Sequence, residues 1–305
     1  MNPPRGKILV IRGGAIGDFI LTLPAIAALR KQFPGAHLEV LGYPHIVQLA
    51  VAGGLVDRVQ SIEARALAGF FARGGNIDPD LSDYFSEFDV IVSYLYDPDD
   101  IFRTNVSFCS LAQFIVGPHR PDARSSISAS RTFLKPLERL AIFEADPMPR
   151  LALAAQPPRR NQIALHPGSG GDRKNWPENR WAGLLQHLVR ESPLNFLLVG
   201  GEAEGGRLQR LAANMPPART RLAQSLPLPE LALQLQSSAG FVGHDSGISH
   251  LAAALGVPSI LLWGDTDEAI WRPPHEHVSV IRGSHGLESI TVENVANQIG
   301  RVFPG

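Results

Sequence analysis

The sequence is poor in cysteine, since Cys109 is the only one among 305 residues. A single thiol excludes an internal disulfide framework, and it excludes a zinc site built from several cysteines. Such sparing use of cysteine suits a protein that works in a reducing compartment, and we therefore expect a cytoplasmic protein.

Net charge and long apolar runs are also lacking. The formal net charge is −1, which argues against a nucleic-acid-binding protein that works through a general positive field. No run approaches the ~18 apolar residues of a membrane span. The apolar run at residues 8–11 is too short for a signal peptide. Any membrane contact is therefore expected to be peripheral and from the cytoplasmic side.

Several familiar motifs are absent as well. Arg12 occupies the first glycine position of a dinucleotide-binding turn, and no acidic residue follows the second predicted strand to hold a ribose. The chain contains no G-x-x-x-x-G-K-[ST] phosphate loop and no H-E-x-x-H zinc motif. Three D-x-D triplets occur, and we interpret them as coincidental in an aspartate-containing chain. No metal site is predicted.

What the chain does contain is a folding pattern that occurs twice. Its residues are 44% apolar and 19% charged, which is enough apolar side chain for a sizeable core. Its length is sufficient for two domains of roughly 150 residues each. Short apolar runs alternate with segments of helical period, which is typical of parallel βαβ units. The predicted strands cover residues 7–11, 37–41, 90–93, 162–166, 196–199, 240–242 and 259–262. Helices are predicted after the glycine-rich turns, one ending near residue 33 and one covering 181–191.

Prolines between residues 147 and 158 separate the two occurrences of this pattern. We place the domain boundary there and predict an α/β fold of two Rossmann-like domains, 1–155 and 156–305, that face each other across a cleft. For the last helix, packing on its own domain and packing back on the N-terminal domain both stay open. In such sheets ligands bind beyond the carboxyl ends of the strands, so the loops there are the candidate sites.

The segment from Gly243 to His250 is the strongest local signal. A strand stops at Gly243 and a helix begins near Gly247, so its free N–H groups and the positive end of its dipole suit a diphosphate. Ser246 and His250 add further donors. The alternative is purely structural, with Asp245 or Ser246 acting only as a helix cap. The segment alone does not separate the two.

Two other loops carry candidate chemistry. After the strand at 162–166, three glycines permit a close backbone approach to a ligand, and Lys174 is the cation that can neutralise a departing diphosphate. In the first loop, Asp18 lies in the first turn of a helix, where an ionised carboxylate could deprotonate an acceptor hydroxyl. An ordinary exposed lysine and a simple helix-start aspartate are the alternatives.

The charges of the N-terminal half are unevenly distributed. Residues 78–100 hold eight acidic residues and no Lys or Arg, whereas residues 103–139 hold six basic and two acidic residues. Both stretches are typical of solvated surfaces. The basic stretch also has the charge to face anionic lipid head groups or a phosphorylated acceptor.

Taken in order, these motifs resemble those of glycosyltransferase family 9, the ADP-heptose:lipopolysaccharide heptosyltransferases. The likeness spans nearly the whole chain and is carried by four segments. These are residues 7–26 (KILVIRGGAIGDFILTLPAI), residues 166–181 with His166-Pro-Gly, Lys174, Trp176-Pro and Trp181, residues 198–204 (LVGGEAE), and residues 243–266 with GHDSGISHLAAALGVP and GDT.

The resemblance implies a GT-B fold, with an N-terminal acceptor domain and a C-terminal donor domain. It also implies inverting, metal-independent transfer of heptose from ADP-heptose to a lipopolysaccharide-core or related glycan. On this pattern Asp18 is the catalytic base and Lys174 stabilises the diphosphate. Either Glu204 or Glu202 approaches the ribose. The residues assigned to the nucleotide sugar are Gly14, Gly17, Ser169, Glu204, Asp245, Ser246, Gly247 and His250.

The expected partners are therefore a nucleotide-sugar donor and a glycan or glycolipid acceptor, with no nucleic acid, no separate cofactor and a monomeric state. Two alternatives stay open. One is an epimerase or hydrolase that acts on nucleotide sugars with the same architecture. The other is a non-catalytic protein that only binds a sugar nucleotide.

Overall fold

The protein is described by a computed structural model over residues 6–171, 174–201, 204 and 206–303. This part of the chain divides into two compact units, with Pro147 ending the first and Met148 starting the second. Residues 148–155, which the proline spacing places in the first domain, belong to the second unit. The backbone N–H of Leu151 donates to the carbonyl of Ala254 at 2.9 Å, and the Leu151 side chain is buried.

The first unit contains one parallel sheet with the order β3-β2-β1-β4-β5. Its strands are β1 (Lys7–Arg12), β2 (His37–Gly42), β3 (Arg58–Ser61), β4 (Val90–Ser93) and β5 (Gln113–Val116), and its α-helices are α1 (Ile16–Gln32), α2 (Pro44–Ala52), α3 (Pro79–Ser86), α4 (Ile101–Ser107) and α5 (Ala129–Leu134). The central strand β1 is buried between two parallel neighbours, which explains its unbroken apolar run.

The second unit has a parallel sheet with the order β11-β10-β9-β6-β7-β8. The strands are β6 (Arg159–Leu165), β7 (Asn195–Gly200), β8 (Thr220–Gln224), β9 (Ser238–His244), β10 (Ser259–Trp263) and β11 (Val278–Arg282), and the α-helices are α6 (Glu178–Glu191), α7 (Arg207–Ala212), α8 (Leu228–Gln236), α9 (Gly247–Ala254), α10 (Glu268–Trp271) and α11 (Val292–Val302). Counted within the unit, this is the strand order 6-5-4-1-2-3 of a Rossmann sheet.

Each unit has its own apolar core. A cluster of Phe70, Phe85 and Phe102 packs with Ile11 and Leu9 beneath the first sheet. In the second unit, Trp176 and Trp181 pack edge to face at 5.4 Å between ring centroids.

The last helix packs on its own unit, where Val295 and Ile299 join the core of the second sheet. Among the described residues, no helix combines the length and the apolar character needed to cross a membrane.

Candidate active site

In the second sheet, the strand order reverses direction between β6 and β9, and ligands of such sheets bind beside this switch point. The loop that follows β6 and the loop that follows β9 are therefore neighbours. They carry the two strongest motifs of the sequence, and the loop after β7 lies on the other side of β6. The topology thus brings together three segments that lie up to 80 residues apart in the chain.

The first contact between these loops is an ion pair. The ammonium Nζ of Lys174 donates to Oδ2 of Asp245 at 2.8 Å. The Lys174 side chain is 52% exposed, whereas that of Asp245 is 11% exposed. The buried carboxylate thus holds the lysine side chain in position, while the ammonium group stays accessible to a ligand. A half-exposed pair of this kind adds little to stability, so its main consequence is the position of the cation.

His244 joins the same two loops through a second set of contacts. Its Nε2 accepts a hydrogen bond from the N–H of Trp176 at 2.8 Å, so its Nδ1 carries the proton and faces the carbonyl of Gly168 at 3.3 Å. Burial lowers the pKa of His244 to about 3. The ring is therefore neutral at pH 7 and works as a fixed connector. His244 was not among the predicted site residues, although its place between a strand end and the Asp-Ser-Gly turn was a usable signal.

Ser246 is the N-cap of α9, as the structural alternative predicted. Its Oγ accepts from the N–H of Ser249 at 3.3 Å, and it lies 3.4 Å from Nδ1 of His166. The cap satisfies the third N–H of the helix, while the N–H groups of Gly247 and Ile248 belong to the first turn and have no partner within a helix. Capping by Ser246 is therefore compatible with anion binding at the same helix start.

Glu204 lies against the glycine-rich loop. Its Oε2 accepts from the N–H of Gly201 at 2.6 Å, and its Oε1 lies 3.8 Å from Nε2 of His166. Burial lowers the pKa of His166 to about 4, so this contact is no ion pair at neutral pH. A Cβ on Gly168 would overlap the Glu204 side chain. Glu202, the alternative ribose contact, lies outside the described residues.

Two predicted donor-site residues, Ser169 and His250, are engaged within the protein itself. Ser169 donates from Oγ to Oδ1 of Asn175 at 2.7 Å, so its hydroxyl braces the loop. His250 lies within α9 and is buried, with 5% of its surface exposed. Their roles in donor binding stay predictions.

Asp18 occupies the equivalent switch point of the first sheet, after β1. Its Oδ2 accepts from the N–H of Ala15 at 3.0 Å, which caps the start of α1. Gly14 has φ +100°, and a Cβ there would lie 2.8 Å from Oδ2 of Asp18. Glycine at position 14 thus permits both the turn and the approach of the carboxylate. Gly17 is the second residue of α1.

Arg12 lies beside this carboxylate, a contact that the sequence did not predict. Its guanidinium donates to the carbonyls of His119 at 3.0 Å and Asp18 at 3.3 Å, and it lies 3.6 Å from Oδ1 of Asp18. It also stacks over the Phe133 ring at 4.5 Å. Burial lowers the pKa of Arg12 while the charge of Asp18 opposes that shift. Arginine keeps its proton in proteins, so a buried cation faces the candidate base.

The D-x-D triplets have structural uses. Asp78 caps α3 by accepting from the N–H of Leu81 at 3.2 Å. Asp97 accepts from the N–H groups of Phe102 and Arg103, and Asp267 caps α10. Within the described ranges, no three His, Cys, Asp or Glu side chains come together in a metal-binding group.

The fold and the site define a class of protein. Each unit is a Rossmann-like α/β domain with polar loops at its switch point. The second carries a fixed lysine and an open helix start, the combination that binds phosphate groups. This is the class of two-domain α/β enzymes that use nucleotide-linked substrates.

The chain belongs to glycosyltransferase family 9, because the family model "Glycosyltransferase family 9 (heptosyltransferase)" matches residues 134–297, more than half of its length. It is accordingly a glycosyltransferase. Lipopolysaccharide heptosyltransferase 3 of Escherichia coli is 23% identical to it over 296 residues, which cover 84% of this chain and 83% of that relative.

Solved structures share the fold. A family 9 glycosyltransferase from Veillonella parvula DSM 2008 superposes with a TM-score of 0.80 at 17% identity, covering 99% of this chain and 98% of that one. The E. coli heptosyltransferase WaaC with ADP superposes with a TM-score of 0.77 at 20% identity, covering 97% and 99%. The predicted fold class, α/β of the GT-B type with two Rossmann-like domains, is thereby confirmed.

Proposed function

We propose that this glycosyltransferase transfers heptose from ADP-heptose, with inversion and without a metal ion, to a glycan acceptor of the lipopolysaccharide-core type. The observation that carries the donor half is the Lys174–Asp245 pair at 2.8 Å beside the open start of α9. ADP is the nucleotide named in the E. coli structure of the same fold. The curated relative named above transfers heptose to lipopolysaccharide by its name.

The leaving group is the ADP diphosphate. When the bond between the anomeric carbon and the phosphate oxygen breaks, negative charge grows on that oxygen, and preorganised donors there typically contribute ~10²–10³-fold. Lys174 supplies one full positive charge, and the N–H groups of Gly247 and Ile248 supply the helix-start dipole. These groups take the place that a divalent cation has in metal-dependent transferases, which is the reason for proposing metal-independent transfer.

The attacking group is an acceptor hydroxyl, and Asp18 is the base that takes its proton. Direct attack on the face opposite the diphosphate inverts the anomeric centre. A general base of this kind typically contributes 10²–10⁴-fold. The Asp18 carboxylate is 23% exposed and faces the guanidinium of Arg12, so it is fixed in direction while it stays reachable.

The remaining proposals concern the setting. The protein is proposed to act as a monomer in the cytoplasm, with peripheral contact to the inner membrane. All six basic side chains between Arg103 and Arg139 are exposed, which leaves them available for anionic lipid or a phosphorylated acceptor. Family membership favours the transferase over the epimerase, hydrolase and non-catalytic alternatives, and a product that forms only when an acceptor is added distinguishes it from them.

A thermal-shift screen of ADP, UDP and GDP tests the donor half, with Lys174→Ala and the exposed Lys31→Ala as a matched pair of variants. We expect ADP to give the largest stabilisation. Lys174→Ala should weaken ADP binding about tenfold, because one charge-assisted hydrogen bond to phosphate is lost, and Lys31→Ala should bind as the wild type. A larger shift with UDP or GDP would overturn ADP-heptose as the donor. Equal ADP affinity in both variants would remove Lys174 from the diphosphate.

A further inference from the structure

A polar cavity opens where β6, β7 and β8 begin, at the end of the second sheet opposite the loops that carry Lys174 and the start of α9. Its volume is about 610 Å³, within the range of small-molecule sites. We call it the arginine cavity. Its lining residues at the strand starts are Arg159, Arg160, Gln162, Asn195, Arg219 and Arg221.

The shape of this cavity follows from an irregularity in β6. The pairing of β6 with β9 shifts register between Arg159 and Ile163, as it does where a strand carries extra residues. On the other side, the pairing with β7 begins only at Gln162 and Asn195. The first residues of β6 therefore extend past the neighbouring strand and leave a notch beside it.

The lining of the arginine cavity carries four guanidinium groups and no carboxylate. Arg219 is fixed, since it donates to the carbonyls of Ser192 at 2.7 Å and Leu194 at 2.9 Å and stacks over the Phe196 ring at 5.3 Å. Its hydrogen bonds all go to neutral carbonyl groups, so its positive charge is not balanced by them.

The other three arginines have no such role. Arg159, Arg160 and Arg221 are exposed, and within the described ranges their guanidinium groups make no hydrogen bond or ion pair. Arg159 also lines an adjacent cavity of about 250 Å³ together with Glu230, so part of its field meets a carboxylate. Arg160 and Arg221 are thus the two least balanced charges of the lining.

We propose that the arginine cavity binds a phosphorylated anion that carries at least two phosphate groups. Like charges gathered around a concave surface repel one another, and a bound anion removes that repulsion. Guanidinium groups match phosphate oxygens in a planar, two-bond geometry. A phosphomonoester carries a charge of about −1.5 to −2 at neutral pH, so two such groups together carry about −3 to −4. That charge balances the four guanidinium groups of the lining. The site is at the opposite end of the sheet from Lys174 and α9, and it is therefore independent of the proposed donor site.

Calorimetric titration with pyrophosphate tests this site on the full-length chain. All proteins carry Lys174→Ala, so that the loop after β6 contributes as little as possible to the signal. The test protein adds Arg160→Gln and Arg221→Gln, and the control adds Arg301→Gln, an exposed arginine of the same unit that lies outside the cavity lining. We expect at least tenfold weaker binding in the test protein and unchanged binding in the control.

Any of three results overturns the proposal. The first is that the Lys174→Ala protein shows no saturable binding of millimolar pyrophosphate. The second is that the test protein binds pyrophosphate as tightly as the Lys174→Ala protein, and the third is that the Arg301→Gln control loses as much affinity as the test protein. Far-ultraviolet circular dichroism and the thermal midpoint should match in all proteins, because neither substituted guanidinium makes a hydrogen bond or an ion pair in the part of the chain that the structure describes. If the pair of substitutions perturbs folding, the single variants Arg160→Gln and Arg221→Gln replace it, and the same three results apply.

A second arm distinguishes the two sources of such an anion. The chain is sedimented with phosphatidylcholine vesicles that do or do not contain cardiolipin, whose head group carries two phosphates. Loss of cardiolipin-dependent sedimentation in the test protein, alongside the loss of pyrophosphate binding, assigns the site to a lipid head group. Sedimentation that is absent or unchanged, alongside the loss of pyrophosphate binding, assigns it to a soluble phosphorylated molecule.

Discussion

At the scale of single residues, Arg12 and Asp18 form an unusual pair at the end of β1. The guanidinium of Arg12 is almost fully buried, with 2% of the side chain exposed, and Asp18 is its nearest carboxylate at 3.6 Å. Removing either partner leaves the other with an unbalanced charge, which is costly in a buried position. Asp18 also caps α1 through the Ala15 N–H, so a substitution at position 18 affects both the helix and the proposed chemistry.

Asp18→Asn separates these two effects. The amide oxygen of Asn can still accept from the N–H of Ala15, but it cannot take a proton from an acceptor hydroxyl. We expect turnover to fall by ~10²–10⁴-fold while the affinity for the nucleotide sugar is unchanged, as measured by transfer kinetics and by donor titration. Asp18→Ala should fall as far in turnover and lose further stability because its cap is gone. Undiminished turnover in Asp18→Asn would remove Asp18 from the role of base.

The two buried histidines of the second unit make its stability depend on pH. His244 and His166 have pKa values of about 3 and about 4 in the folded protein, against ~6.5 in an unfolded chain. Between pH 6.5 and those values the unfolded state binds more protons than the folded state. The free energy of unfolding therefore falls as the pH falls through this window.

His244→Gln tests this dependence, since Gln keeps an acceptor for the Trp176 N–H and cannot titrate. From pH 7 to pH 4.5 the wild type should lose about 3 kcal/mol more unfolding free energy than the variant, from two pH units at ~1.4 kcal/mol each. Urea unfolding followed by tryptophan fluorescence measures both. The variant should be less stable at pH 7, because the bond to Gly168 is lost. Identical pH profiles would show that His244 is not held neutral by the fold.

At the scale of elements, the central strands with the loops and helices that follow them could be predicted from the sequence. The outer strands of both sheets could not. The predicted strand at 90–93 is confirmed, and the strand predicted at 7–11 is one residue longer, ending at Arg12. β3, β5, β8 and β11 were missed. They are short outer strands with exposed polar residues among their apolar ones, as in β8 with Arg221. Neighbouring strands, rather than their own pattern, define such elements.

The glycine-rich loop after β6 supplies a matched pair of substitutions. A Cβ on Gly168 would overlap the Glu204 side chain, whereas a Cβ on Gly171 would have nothing within 4 Å. Gly168→Ala should displace the Glu204 side chain, whose Cγ, Cδ and Oε1 would all overlap the added Cβ. The donor KM should therefore rise at least tenfold if Glu204 contacts the nucleotide. Gly171→Ala should match the wild type in transfer kinetics. An unchanged KM in Gly168→Ala would remove Glu204 from donor binding.

At the scale of the whole molecule, each of the two units contains a residue type that the other lacks and that can be followed separately. All four tryptophans lie in the second unit, at positions 176, 181, 263 and 271, and the single cysteine lies in the first. Tryptophan fluorescence therefore reports on the second unit. The labelling rate of Cys109, which is half-buried, reports on the first.

This partition gives a test of where the nucleotide binds. ADP at 100 times its dissociation constant should stabilise the second unit by ~2.7 kcal/mol, which moves the fluorescence transition to higher urea. The urea dependence of Cys109 labelling should not move, because each unit has a separate core. Lys174→Ala, titrated at the same ADP concentration, should show a smaller shift. Equal shifts of both signals would contradict binding within the second unit alone.

The domain boundary shows why an irregular segment is assigned differently from the sequence and from the contacts in the structure. Residues 148–155 have no strand or helix of their own, and the prolines around them look like a linker. They are fixed by contacts to distant parts of the second unit, such as the carbonyl of Pro149 with Nε2 of His275 at 2.7 Å. Hydrogen bonds to residues more than 100 positions away leave no local pattern in a sequence.

The class of fold, the central strands and the loops that carry the chemistry can all be predicted from local patterns in the sequence. Apolar period, glycines and helix-start residues act over a few neighbouring positions, and a single chain shows them directly. Which charged groups come into contact depends on the order of the strands in each sheet, and no local pattern shows it. Lys174 rests on Asp245, Arg12 lies beside Asp18, and His244 joins two loops, because strand order sets those neighbours. The arginine cavity at the strand starts of the second sheet likewise depends on which strands are neighbours, so no local pattern in the sequence predicts it.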